Sequence, residues 1–352
     1  MLRKIISIIF LFIMLFTEKS KAQDPQYSQY YNAPLYLNPA FAGTADNSRG
    51  IVNYRSQWPG VASNTPYSTY SVSLDHHIEP YNSGVGLLIT RDRMGGNISM
   101  TDVGLIYAYQ ADISKKWSFR PSLQGSVVSR NVDYSQLTLG DQLTPNGPTG
   151  IPSTDRLLLN NAGNKIFLDF ATGGLLFSDM FWFGVSAHHL GRPNIANDIA
   201  TRYSLPMKYS AQAGMRIPLG ERRVKQGYQT VLKERSIMPS INFKRQGSFN
   251  QLDLGAYAIL EPMMFGITYR GIPIQRFEGL PNNESIIFMA GIHFQGFSFA
   301  YSYDIVISQL TLANSAGAHE IALIYEFEVP YPKSKKQRPL PCPNFHRSGV
   351  RK

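Results

Sequence analysis

The fold class is indicated most clearly by the stretch Met263-Met264-Phe265-Gly266-Ile267-Thr268-Tyr269-Arg270, in which large apolar side chains largely alternate with small or polar ones. Successive side chains of a β-strand point to opposite faces, so the pattern predicts a strand with one apolar and one polar face. The same alternation recurs in 297–304 and 209–216. Past residue 44 no segment shows the period of an amphipathic helix, and the sequence therefore predicts an all-β fold.

Alternating segments recur about fourteen times along the chain. We predict strands at Arg49–Arg55, Thr69–His76, Ser83–Arg91, Ser99–Tyr109, Trp117–Ser129, Lys165–Ser178, Met180–His188, Lys208–Ile217, Ile237–Arg245, Gln251–Leu260, Met263–Arg270, Ser285–Gln295, Gly296–Val306 and His319–Phe327. Strands of soluble sandwiches usually have about five or six residues, whereas these segments can cross a bilayer when tilted. Since only a closed barrel leaves no unpaired edge in lipid, we expect an antiparallel outer-membrane β-barrel of about 14 strands over residues 48–328.

Connection lengths support this topology, because bacterial barrels have short periplasmic turns and long outer loops. The long connections Asn131–Asn164, His189–Met207, Gly271–Glu284 and Ile307–Ala318 all fall on the same side of the predicted sheet. One connection on the short side departs from the rule: Pro218–Ser236 is predicted to be a long, basic periplasmic loop.

Residues 1–22 are typical of a secretory signal peptide. Arg3 and Lys4 precede the apolar run Ile5–Phe16, and Ser20-Lys21-Ala22 forms a small-x-small cleavage site, which predicts Sec-type export with cleavage near Ala22-Gln23. Twelve helical residues rise about 18 Å, short of the roughly 30 Å hydrocarbon core, so an uncleaved anchor helix is the weaker alternative.

The charge lies at the two ends of the chain. The net charge is +10, of which the leader carries +3 and the tail from Tyr331 carries +7, so residues 23–330 are neutral. A neutral body argues against a nucleic-acid partner. Residues 329–352 are predicted to form a basic periplasmic tail, either solvated or used for docking. Cys342 is the only cysteine, so no disulfide can form within the chain.

The sequence contains no convincing catalytic or metal-binding constellation. The pairs His76-His77 and His188-His189 would point to opposite faces of a strand, and His319-Glu320 lacks the second histidine of a zinc motif because Leu323 stands there. We therefore expect no enzyme activity, no cofactor and no metal.

The segment QDPQYSQYYNAPLYLNPAFAGT, residues 23–44, resembles neither a strand nor a long helix. Pro25, Pro34 and Pro39 would interrupt a helix and remove donors from a central strand. Its large apolar side chains are too many for a free linker. We therefore predict that residues 23–47 emerge on the periplasmic side and fold back into the lumen as a plug or pack across the barrel mouth.

Three motifs carry a family resemblance. The signature 24–30, with Asn32 and 38–43, the aromatic-Arg-x-Gln-Trp box at 54–60, and the ending 341–345 resemble the PorP/SprF family of the type IX secretion and gliding-motility apparatus of the Bacteroidetes. Tyr27 and Tyr31 stand where that family is expected to have Phe or Met.

The resemblance implies a non-catalytic barrel in outer-membrane lipid that works with the periplasmic ring proteins of the secretion machinery, or retains a secreted adhesin carrying a C-terminal sorting domain. The residues that it marks for plug or interaction roles are Gln29, Tyr30, Asn32, Asn38, Pro39, Ala40, Phe41, Gly43, Arg55, Gln57, Trp58, Pro341, Cys342, Pro343 and Phe345. A channel or transporter for small or hydrophobic solutes is the main alternative, since about fourteen strands can enclose a lumen. A soluble secreted β-protein is a third.

Overall fold

The computed structural model describes residues 23–45, 48–61, 67–95, 97–134, 138, 140–145, 147–151, 153–154, 163–196, 203–226, 229–277, 280–308, 312–327 and 340–341. The predicted leader, most of the predicted basic tail, and Cys342, Pro343 and Phe345 lie outside these residues.

Fourteen long strands form the wall, one at each predicted position. They are β1 (Ser48–Gln57), β2 (Tyr67–Ile78), β3 (Ser83–Met94), β4 (Ile98–Tyr109), β5 (Ser118–Val132), β6 (Asn164–Phe177), β7 (Phe181–His188), β8 (Lys208–Met215), β9 (Gln229–Gln246), β10 (Phe249–Leu260), β11 (Met263–Phe277), β12 (Leu280–Phe294), β13 (Phe297–Val306) and β14 (Ala318–Phe327).

The wall closes into an antiparallel barrel. Each strand pairs with the next, β8 pairs directly with the second half of β9, and β1 pairs with β14, with Arg55 opposite Glu320. Closure gives every barrel strand a partner on both sides, which removes the free edges that lipid does not tolerate. The predicted all-β, 14-stranded barrel is confirmed.

The alternation that predicted the strands separates an apolar outer face from a polar lumen. In β11, Met263, Phe265 and Ile267 are exposed on the outside, whereas Met264 and Thr268 are buried inside. Exposed large apolar side chains occur in the same alternating way on the other strands, as a lipid-facing surface requires. Over the ranges that the structure describes, no helix has both the length and the apolar character needed to cross a membrane.

The two ends of the barrel differ. One, the turn end, carries the short connections 79–82, 178–180, 261–262 and 295–296; the other, the long-loop end, carries 58–66, 133–163, 189–207 and 307–317. The prediction of a long loop over Gly271–Glu284 is wrong, because β11 and β12 continue as paired strands to Phe277 and from Leu280. The extended strands pair backbone N–H and C=O groups with each other, whereas in a loop these groups would need water as their hydrogen-bond partner.

The predicted basic loop Pro218–Ser236 is also not a loop. Ile217–Gln226 forms an additional strand that pairs with the first half of β9, with Ile217 opposite Ile237 and Gln226 opposite Gln229. This two-stranded ribbon, residues 217–236, leaves the wall at the turn end, and we call it the arm. It lies outside the barrel because β8 pairs only with the second half of β9.

Short elements complete the described structure. These are strand Ala111–Asp112 beside β5, the hairpin Leu143–Thr144 with Gly147–Pro148, the 3₁₀ turns Glu79–Tyr81 and Gly140–Gln142, and the helical turn Leu312–Ser315.

The N-terminal segment, residues 24–45, folds as three single helical turns: Tyr30–Asn32, Pro34–Leu37 and Pro39–Phe41. Pro34 and Pro39 each stand at the start of a turn, where a missing N–H costs no hydrogen bond. The Asn38 side chain caps the third turn by accepting from the Ala40 N–H at 2.9 Å. The prolines therefore begin short turns as well as preventing a longer helix.

Candidate functional site: the N-terminal segment inside the barrel

The N-terminal segment lies in the lumen and packs against the inner wall. Phe41 and Tyr31 are each 2% exposed, and their rings contact wall aromatics edge to face, Phe41 against Trp182 at 5.9 Å and Tyr31 against Tyr257 at 4.6 Å between centroids. Burying a large apolar side chain is worth about 1.5–3 kcal/mol before the entropy cost of ordering the chain. The aromatic and apolar side chains of the segment therefore pack against the inner wall of the barrel.

The segment runs along the barrel from the long-loop end to the turn end. Asp24 contacts Lys208 and Gln246, which lie at the long-loop ends of β8 and β9. Gly43 donates its N–H to Asp75 at 2.9 Å, near the turn end of β2. The carboxyl end of the segment thus lies at the turn end, whereas its amino end, with the exposed Gln23, lies toward the long loops.

Arg55, from the aromatic-Arg box, binds the N-terminal signature directly. Its Nη1 donates to the Ser28 hydroxyl at 2.5 Å and to Glu320 at 3.2 Å, and its Nη2 donates to Asp304 at 2.8 Å. All three ion-pairing side chains are at least 97% buried. A buried guanidinium placed between two carboxylates satisfies charges that would be costly to leave alone.

Glu320 accepts hydrogen bonds from the backbone of the same signature. Its two carboxylate oxygens accept the N–H groups of Ser28 at 2.6 Å and Gln29 at 3.0 Å. Gln29 in turn donates from Nε2 to the Glu320 carbonyl at 3.0 Å and to Ser302 at 3.2 Å. Such charge-assisted bonds to backbone groups fix the position of the chain.

A second buried arginine extends the network around the barrel. Arg270 of β11 donates from Nε to Asp253 at 2.8 Å and from Nη2 to the Tyr27 carbonyl at 3.0 Å. The hydroxyl of Tyr30 lies 2.5 Å from that of Ser240 on β9. Polar groups of β1, β9, β11, β13 and β14 therefore hold residues 27–30.

An ion-pair cluster holds the amino end. The Asp24 carboxylate binds Lys208 Nζ at 2.6 Å and His189 Nε2 at 2.9 Å, while His189 Nδ1 faces Asp169 at 2.7 Å. Burial would raise the pKa of Asp24, but His189 and Lys208 hold it well below its usual range. Burial would lower the pKa of His189, which lies beyond the end of β7, but the two carboxylates raise it to about 9. Both groups are charged at neutral pH.

At the turn end, the segment approaches the wall so closely that glycine is required. A Cβ on Gly84 would lie 2.0 Å from the Ala42 carbonyl oxygen, and a Cβ on Gly173 would lie 2.0 Å from Asn38 Oδ1. Arg120 of β5 donates to the carbonyls of Ala40 and Ala42. These contacts hold residues 38–43 against β3, β5 and β6.

Hydrogen bonds hold both signature asparagines, Asn38 through wall backbone and Asn32 through side chains. Asn38 Nδ2 donates to the Val185 carbonyl at 3.0 Å and the Gly174 carbonyl at 3.3 Å. Asn32 Nδ2 donates to Gln29 Oε1 at 2.8 Å, and the Asn32 carbonyl accepts from Asn53 at 3.1 Å. The structure thus brings the signature residues and Arg55 of the box to one site.

Other residues marked by the resemblance lie elsewhere. Trp58 lies at the long-loop rim, where its backbone N–H donates to the Gly317 carbonyl at 2.9 Å. Gln57, the last residue of β1, precedes it. Pro341 is buried, and its neighbour Leu340 packs against the core that the segment forms with the wall. The tail was predicted to be either solvated or used for docking, and these two residues of it pack against the protein.

The wall residues that bind the segment were not among those predicted from the sequence. Asp75, Arg120, His189, Lys208, Arg270, Asp304 and Glu320 contact it directly, while Asp169 and Asp253 bind His189 and Arg270. The available signal was charge, because all of them except His189 are charged residues at buried strand positions.

These observations define the class: an outer-membrane β-barrel whose lumen is filled by its own N-terminal segment. The chain matches the family described as type IX secretion system membrane protein PorP/SprF over residues 19–325, and it belongs to that family. A search of curated proteins finds no match.

Solved barrels resemble the chain only distantly. The P. putida toluene transporter TodX has 12% identity and a TM-score of 0.44, over 85% of this chain and 95% of that one. The KdgM porin has 6% identity and a TM-score of 0.35, and a mutant of Rh. blastica porin has 8% and 0.32, each over 80% of this chain and 99% of the other. Identities and scores this low say nothing about function.

Proposed function

We propose that this chain is a non-catalytic component of the type IX secretion apparatus that acts by binding protein partners at the two ends of a closed barrel. The observation that carries the proposal is the filled lumen. Residues 27–43, except the half-buried Tyr36, are buried, and the segment is hydrogen-bonded to strands that include β7, β9, β11 and β14. A lumen filled in this way leaves the rims as the surfaces through which the protein works.

The arm supports a partner at the turn end, which faces the periplasm in barrels of this kind. Its residues 217–236 include five basic and two acidic side chains, a net charge of +3, whereas the rest of the body, residues 23–216 and 237–330, carries −3. Ten extended residues at about 3.3 Å each reach roughly 30 Å. A basic ribbon of this length suits contact with an acidic face of a periplasmic ring protein.

The long-loop end supports a second partner outside the cell. The connections 133–163 and 189–207 are the longest between barrel strands, and they leave the wall next to each other around β6 and β7. Long loops on a rigid barrel are the usual carriers of binding function. We assign to them the retention of a secreted adhesin or other cargo with a C-terminal sorting domain.

Affinity purification from outer membranes tests the proposal. We expect a stoichiometric ring protein with the native chain, and its loss when residues 219–234 are replaced by Asn-Gly, which closes a two-residue hairpin. The matched control replaces residues 140–154, in a connection at the long-loop end, by the same Asn-Gly pair, and this variant should still bind the ring protein. A preparation that contains a lipid-like ligand and no protein partner would favour the solute transporter instead.

A further inference from the structure

A small polar cavity lies between the N-terminal segment and the wall strands β3 to β8. Its volume is about 30 Å³. It has room for one or two atoms the size of a water oxygen. The segment contributes Asp24, Pro25 and Tyr36 to its lining. The polar wall residues around it are Thr90, Asp92, Asp102, Gln124, Asp169, His188 and Lys208, with His189 beside them.

Five buried polar atoms of this lining have no hydrogen-bond partner among the described residues. They are Thr90 Oγ1, Asp102 Oδ1, Gln124 Oε1, Asp169 Oδ1 and His188 Nε2. Thr90, Gln124, Asp169 and His188 are 4–7% exposed. Buried polar atoms without partners are costly, and five around one cavity indicate a ligand there. Four of the five are oxygens.

The cavity carries an excess of negative charge. His189 faces a carboxylate with each ring nitrogen, which requires both nitrogens to be protonated. Four aspartates, residues 24, 92, 102 and 169, therefore face two cations, His189 and Lys208, which leaves a net charge of −2. Among the described residues, Asp92 and Asp102 form no salt bridge, and Asp92 accepts only the Thr69 hydroxyl, at 2.7 Å.

We propose that this cavity binds a hard divalent cation, Ca²⁺, through oxygens of Asp102, Asp169, Thr90 and Gln124, with water completing the coordination. Thr90 stands directly opposite Asp102 in the β3–β4 register, so their side chains leave neighbouring strands side by side. No three His, Cys, Asp or Glu side chains in the described part of the chain are grouped to chelate one ion. That excludes a zinc-like site, whereas Ca²⁺ accepts two carboxylates with amide, hydroxyl and water oxygens.

The position of the cavity gives the ion a structural consequence. Asp24 and Tyr36 of the segment line the cavity, whereas the four proposed ligands belong to the wall, so the ion is enclosed only when the segment is docked. An ion that binds only the docked arrangement raises the stability of that arrangement by mass action. The melting temperature of the barrel should therefore rise with Ca²⁺.

Calorimetric titration of CaCl₂ into the chelator-treated full-length barrel in detergent tests the site, with Tb³⁺ luminescence sensitised by Tyr36 as a second readout. We expect one ion per chain with a Kd of about 10⁻³ M or tighter, in the range of extracellular calcium modules. Asp102→Asn should weaken binding by about tenfold or more. Asp141→Asn, which removes an exposed loop carboxylate, should leave binding unchanged.

Thr90→Val provides a second variant if Asp102→Asn does not fold, because it removes one ligand oxygen and keeps the side-chain shape. It should weaken Ca²⁺ binding and leave the fold of the barrel intact. Absence of saturable binding to the native chain would overturn the proposal and leave a cavity that holds water only. Equal affinities for the native chain and both cavity variants would overturn it as well.

Discussion

Arg55 of β1 donates a hydrogen bond to the hydroxyl of Ser28 at 2.5 Å, and this contact joins two motifs that are separate in the sequence. Glu320, opposite Arg55 in the β1–β14 register, accepts the Ser28 N–H. The N-terminal signature is therefore bound at the seam where the first strand meets the last. Arg55 and Glu320 therefore lie on the two strands that close the barrel and also bind the segment.

Arg55→Met should release the amino half of the segment. The change leaves Asp304 and Glu320 buried without their shared cation, and breaking a buried pair in this way costs about 3–5 kcal/mol. Limited proteolysis in detergent should cleave residues 24–30 in the variant and not in the native barrel, and the melting temperature should fall. Arg91→Met, which removes an exposed arginine of β3, is the control. If Arg55→Met resists protease as well as the control does, Arg55 does not hold the segment.

Gly84→Ala should displace the carboxyl half of the segment. Its new Cβ would lie 2.0 Å from the Ala42 oxygen, so residues 42 and 43 must move, and overpacking of this kind costs about 1–3 kcal/mol. Gly125→Ala is a matched control on β5, because its Cβ would meet nothing closer than the Phe170 ring at 3.8 Å. Thermal melting should separate the two variants. Equal melting temperatures would show that the close approach at Gly84 is unimportant.

Gln23 should be reachable from outside the cell. In a Cys342→Ser background, Gln23→Cys should react with a membrane-impermeant maleimide on intact cells, since Gln23 is exposed and its neighbour Asp24 binds long-loop ends of the wall. Lys116→Cys, in an exposed short turn, should react only after permeabilisation. The reverse labelling pattern would mean that the barrel is inserted with its long loops in the periplasm.

The wall was predictable because every strand carries its own signal. Met263, Phe265 and Ile267 face outward as their alternation requires, and the same rule located all fourteen strands. The arm was misread because its basic residues do not alternate with apolar ones, although backbone pairing is enough to make it a ribbon.

The site was predictable only in part. The aromatic and proline content of residues 24–44 indicated a docked segment, and it lies in the lumen. Its partners were hidden because Glu320 and Asp304 are about 250 residues or more from Arg55, and only closure of the barrel brings them together. Local periodicity assigns a residue to a face, but it does not say which residues meet across the lumen.

Single-channel conductance in planar bilayers tests whether the N-terminal segment closes the barrel, because a lumen filled by this segment should not pass ions. The native barrel should show no steady conductance, and deletion of Gln26–Gly43 should open a stable pore. Gly125→Ala should stay closed like the native barrel. A native protein that conducts as well as the deletion variant would contradict the account.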